Sequence, residues 1–148
     1  MQNSDRPYHR AEIDHLFTKV KAQMHQEALN RGGDGRALYI DCYTGASLRG
    51  GDRYDYEHIR SAEDIYMTYR DRLTNEEIAQ VVNCSENVAV TLRTINQSKG
   101  KMRIENWLSN ANNVTNNNID LSLTKINVRT ADQGIHKKVT EILSRKKS

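Results

Sequence analysis

Cysteine is scarce in this chain: Cys42 and Cys84 stand 42 residues apart among 148, with no Cys-x-x-Cys pair. That excludes a zinc ribbon or a disulfide framework and leaves two buried thiols as the expectation. Long apolar runs are missing too, since no stretch approaches the roughly 18 residues a membrane span requires. Met1 opens no basic, apolar, small-residue leader. A cytoplasmic protein is therefore the default expectation, with delivery into another cell by a signal-independent secretion route as the exception. Neither a membrane partner nor a nucleotide cofactor is expected, and no internal repeat is visible. At 148 residues the chain has room for one domain, 1–148, with a real core.

Hydrophobic residues make up 36% and charged residues 28% of the chain, at a mean hydropathy of -0.81. A small core under a large wet surface follows. The net charge of +3 favours a polyanion without identifying one. Basic residues gather at Lys137, Lys138, Arg145, Lys146 and Lys147, and again at Arg93, Lys99, Lys101 and Arg103. The first group reads as a solvated helical face or as phosphate contacts.

Apolar positions at Ile13, Leu16, Phe17, Val20, Met24, Ala28 and Leu29 recur at helical spacing and predict a helix over about 11–30 that stops at the Gly32-Gly33 turn. His9, His15 and His25 have no metal-ligand spacing and read as surface or structural. Ala37 to Tyr43 and Tyr54 to Ile59 read as two strands joined through Gly50-Gly51-Asp52 into an irregular hairpin. A helix is expected over Ser61 to Tyr69. Another starts at the capping box Thr74-Asn75-Glu76-Glu77. Val88 to Val90 reads as briefly extended or irregular, Thr91 as the cap of a helix through Asn96, and Ile104 to Leu108 as a helical turn. Residues 110–118 hold six asparagines among nine residues and predict a linker or exposed loop. A basic helix is expected over about 131–147.

Phosphodiester cleavage needs an activated water, a counter-charge for the crowded phosphate oxygens and help for the departing oxygen. His58 supplies an imidazole able to act as a base near neutral pH. Glu57 and Asn96 supply hard oxygen ligands suited to Mg2+ or Mn2+. Asn87 and Asn96, nine residues apart, flank the turn and helix start that would back the hairpin. Arg60, Arg93 and Arg103 are candidate phosphate contacts. Asp41, Tyr43, Asp55 and Trp107 read as structural, with Trp107 filling the core.

Glu57-His58-Ile59, then Asn87-Val88-Ala89-Val90-Thr91, then Asn96-Gln97-Ser98-Lys99-Gly100 resemble the pattern of the HNH nucleases of the His-Me finger (ββα-metal) group over about residues 38–108. The Asn87-to-Asn96 interval looks like that in the HNH domain of RNA-guided CRISPR nucleases. The resemblance implies an α+β fold with a ββα-metal core, including a two-stranded hairpin, between N- and C-terminal helices. It further implies His58 as general base, Glu57 and Asn96 as ligands of a divalent ion (Mg2+ first, then Mn2+, Ni2+ or Zn2+), and Asn87 tying the loop and helping to orient the base. Lys99 would neighbour the phosphate. The implied activity is endonucleolytic hydrolysis of DNA, with RNA second, leaving 5'-phosphate and 3'-hydroxyl ends. A toxin, a defence nuclease or a phage enzyme would fit, the first with an immunity or inhibitor protein as partner. Departures are glutamate rather than aspartate at position 57, Arg60-Ser61 where a proline is usual, and no zinc knuckles. Two competing expectations are a nucleic-acid-binding module that has lost cleavage and a protein-interaction domain built on the terminal helices. The enzymatic reading requires the His58 ring to face the Glu57 carboxylate or the Asn96 amide.

Overall fold

The computed structural model describes Tyr8 and residues 10–147, so the reading of His9 falls outside the described residues. Helix α1 spans Ala11–Gly32. It runs two residues past the expected end because Gly33, at φ 72°, supplies the left-handed stop and returns its N–H to the Leu29 carbonyl. Strands β1 (Leu38–Ile40) and β2 (Ser47–Arg49) follow, then β3 (Tyr54–His58), α2 (Ala62–Tyr69) and α3 (Asn75–Val82). A 3-10 turn, Ser85–Asn87, leads into β4 (Val88–Leu92), α4 (Arg93–Lys99), α5 (Ile104–Leu108), α6 (Ala111–Asn116) and α7 (Leu121–Lys146). The fold is α+β. None of the described helices is long and apolar enough to cross a membrane.

The expected hairpin is re-paired. β1 pairs antiparallel with β2, while β3 pairs antiparallel with β4, from Tyr54 opposite Leu92 to His58 opposite Val88. Asp41 causes the difference. Its carboxylate accepts the Tyr43 and Thr44 amides, ending β1 in a tight turn, and also takes the Thr91 hydroxyl and the Leu92 amide of β4. Thr91 is thus committed to Asp41 instead of capping α4, whose N-cap is Leu92. With β1 closed on β2, the run at Val88 to Leu92 completes the second sheet, as its β-branched, mostly buried residues favour.

The helix at 75–82 carries the expected reciprocal Thr74–Glu77 box, and the helix at 62–69 is capped by Ser61, whose side chain accepts the Asp64 amide. The asparagine-rich stretch differs from expectation. Residues 111–116 form α6 because asparagine side chains replace missing backbone partners: Asn110 accepts the Asn112 amide, and Asn113 and Asn117 donate to the Trp107 and Asn113 carbonyls. Helix α7 begins at Leu121, ten residues ahead of the expected start at 131, because Asp120 caps it through the Leu123 amide.

Three apolar clusters result. One joins α1, α2, α3 and α7; a second lies between α1 and strands β1, β2 and β4; a third gathers Tyr43, Ile95, Ile104 and the buried Trp107. Cys42 is buried, but Cys84 is only partly covered. Gly134 of α7 sits against the 3-10 turn, where an added Cβ would lie 2.4 Å from the Glu86 Cβ. Gly134→Ala gains about 1 kcal/mol of helix propensity. Overpacking costs about 1–3 kcal/mol. The clash is with an atom next to the backbone, so the cost wins, and a lowered urea midpoint is expected; an unchanged or raised midpoint would mean the turn yields freely.

Candidate functional site

Alternation along β3 divides its side chains between two faces. Asp55 and Glu57 meet α4, whereas Tyr54 and Tyr56 pack around Tyr39, and His58 turns to α1 and the end of α3. Where β3 ends, Glu57, His58, Asn96, Lys99 and Arg103 line one cleft of about 340 Å³. Of the sequence-predicted residues, Glu57, His58, Arg60, Asn96, Lys99 and Arg103 share this cleft, whereas Asn87 and Arg93 do not line it. Contrary to what the enzymatic reading requires, the His58 ring turns to Phe17 and Asn83 and faces neither the Glu57 carboxylate nor the Asn96 amide. The three central side chains do not bond to one another. Each has other partners.

Glu57 is buried at 5% exposure. Its Oε2 accepts the Tyr43 hydroxyl. Oε1 faces Lys99 Nζ at 3.3 Å, close enough for an ion pair but without hydrogen-bond geometry, so this buried oxygen has no hydrogen-bond partner among the described residues. Burial raises the carboxyl above its ordinary range, with Lys99 and Tyr43 opposing. Asn96 donates its amide nitrogen to Asp55 Oδ2 at 3.0 Å, while Asp55 Oδ1 receives Arg93.

His58 Nε2 lies 2.8 Å from Asn83 Oδ1. The Asn83 nitrogen is spent on the Ile13 and Ala79 carbonyls, which fixes the amide orientation and makes Oδ1 an acceptor. The neutral ring accordingly carries its proton on Nε2 and keeps its lone pair on Nδ1. Phe17 covers the ring at a centroid distance of 4.2 Å. Burial pulls the imidazole down to about 4, so it is neutral at neutral pH.

The loop after His58 is held from two sides. Asn87, fully buried, accepts the Arg60 amide and donates to the Arg60 and Val82 carbonyls. It ties the loop, but the direct partner of the His58 ring is Asn83. Arg60 makes paired bonds to both Glu105 and Asp132 and is 12% exposed, so it clasps α5 and α7 instead of offering a free phosphate contact. The same contact draws the Glu105 carboxyl down to about 2. Lys99 is likewise buried against Glu57. Arg93 pairs with Asp55 and Arg103 with Asp64, each cation remaining about half exposed, and Lys101 is exposed on the rim.

Sequence reading missed Phe17, Tyr43 and Asn83. Tyr43 reads from sequence as structural, and its hydroxyl reaches the Glu57 carboxylate. Asn83 follows the last residue of α3, and only its helix-terminal position could have marked it. No group of three or more His, Cys, Asp or Glu side chains able to hold a metal occurs among the described residues. The donor set that does occur, one carboxylate and one amide oxygen, fits Mg2+ or Mn2+, which take one or two protein oxygens and keep several waters. The Glu57 oxygen without a hydrogen bond points the same way. No protein-family model matches the chain, nor does any curated protein or solved structure.

Proposed function

We infer that the chain is a divalent-metal-dependent endonuclease of the HNH, ββα-metal kind, with DNA as its first substrate. The observation that carries this reading is the strand–strand–helix unit β3–β4–α4, which brings Glu57 and His58 to the same cleft as Asn96 despite their separation in sequence. Support also comes from Asn87, which locks the loop behind the base, and from the exposed Lys101 and half-exposed Arg103 at the rim.

Glu57 and Asn96 would hold the ion, which when bound supplies positive charge to the phosphate and to the departing oxygen. His58 takes the proton of the attacking water at Nδ1, the nitrogen that Asn83 leaves free. Asn83 stabilises the imidazolium as it forms, since the bond at Nε2 strengthens when the ring becomes charged. Arg103 and Lys101 position the backbone phosphates.

A non-cleaving nucleic-acid-binding module is the second reading, favoured by the Lys99 ion pair on Glu57 and by Phe17 over the ring. Supercoiled plasmid incubated with the purified chain and Mg2+, Mn2+, Ni2+ or Zn2+ decides between them. Conversion to open-circular or linear DNA with 5'-phosphate ends, abolished by chelation, is expected. Asn96→Ala should require at least about tenfold more metal for the same rate. DNA binding without turnover in all four metals overturns the enzyme in favour of the module; absence of any salt-dependent DNA affinity overturns both.

A further inference from the structure

Lys99 and Glu57 form a buried pair of opposite charges, their side chains 7% and 4% exposed. Taking two charges out of water is costly, and only good geometry returns that cost. This pair is poorly made. Nζ stands 3.3 Å from Oε1 outside hydrogen-bond geometry, while the other carboxylate oxygen is taken by Tyr43. The cation therefore sits beside the one oxygen left for a metal ion, on the helix that also carries Asn96. Lys99 closes that helix. Gly100, at φ 52° and ψ -128°, breaks the chain immediately after it. An ammonium on a four-carbon stem at a helix end can swing away from Glu57 while α4 stays in place.

We propose that Lys99 is a built-in counter-ion for Glu57 which a divalent ion displaces, and that the freed ammonium then turns to the phosphate of bound nucleic acid. The proposal rests on the nuclease reading and names how that site is regulated. A monovalent and a divalent cation cannot share one carboxylate oxygen without strong repulsion. Metal alone must therefore work against Lys99. A polyanion gives the displaced ammonium a new partner, so metal and nucleic acid bind with positive coupling through this side chain.

Calorimetric titration of Mn2+ alone into wild type, Lys99→Met and Lys99→Arg tests the competition. Lys99→Met is expected to bind at least about fivefold more tightly than wild type, and Lys99→Arg no more tightly than wild type. Wild-type protein alone supplies the second measurement, acetylation of lysines by a water-soluble active ester followed by mass spectrometry. Lys99 should be nearly inert without metal, react several-fold faster in saturating Mn2+, and become protected again when a phosphorothioate DNA duplex is added. Should Lys99→Met fail to fold, the labelling result decides. Equal Mn2+ affinity in all three proteins, or Lys99 labelling indifferent to Mn2+, overturns the displacement and leaves the metal site standing. Failure of all three to bind Mn2+ overturns the metal site as well.

Discussion

His58→Ala is expected to lower metal-dependent plasmid cleavage by about 10²–10⁴-fold, the usual contribution of a positioned general base. The fold should survive. Asn83 loses only its Oδ1 partner and keeps both backbone carbonyls. An unsatisfied buried acceptor costs about 1–3 kcal/mol. The variant should also differ from wild type in acid. Burial depresses the wild-type imidazole to about 4 from an unperturbed 6.5, so the unfolded chain binds the extra proton first. The stability contributed by neutral His58 is complete above pH 6.5 and is lost as pH falls towards 4. Urea midpoints measured across that window should fall more steeply for wild type than for His58→Ala. Full cleavage by the pure variant would remove the base from the mechanism.

Asn87→Ala should have the largest effect on stability. One amide, in a side chain at 0% exposure, satisfies the Arg60 N–H, the Arg60 carbonyl and the Val82 carbonyl. At about 1–3 kcal/mol per orphaned group, a loss of about 3 kcal/mol or more is expected. That is a large share of the 5–15 kcal/mol typical of a domain. Cleavage should fall with it even where the protein remains folded, because the loop following His58 loses its tether. Asn87→Asp is no rescue, since a carboxylate facing two carbonyls exchanges two hydrogen bonds for repulsion. A loss below about 1 kcal/mol in chemical denaturation would show that the Arg60 clasp holds the loop unaided.

Much of the helical framework was legible because capping and periodicity are local. The run from Ser61 to Tyr69, Thr74 with Glu77, and the stripe from Ile13 to Leu29 act within a few residues, and each helix they predict is present. Strand pairing was not legible. Nothing near Tyr54 indicates that its partner is Leu92, because the choice is made by Asp41, which spends one carboxylate on a turn and on β4 together. The asparagine stretch misled in the opposite direction: intrinsic propensity disfavours a helix there, and side-chain bonds to the backbone override it. For the site, Glu57, His58 and Asn96 line one cleft, while Asn87 lies behind it, bonded to the Arg60 and Val82 backbone. The counter-partners Tyr43, Asn83 and Phe17 come from other elements at separations that no motif encodes.

The clasp at Arg60 joins early and late parts of the chain, since Glu105 lies on α5 and Asp132 on α7. During synthesis neither acid exists when β3 leaves the ribosome, and the strand that completes its sheet emerges only after two intervening helices. A nascent chain halted before Asp132 thus lacks the half of the clasp that fastens the histidine's loop to the C-terminal helix. The loop after His58 therefore gains its last fastening only when most of the final helix has been made.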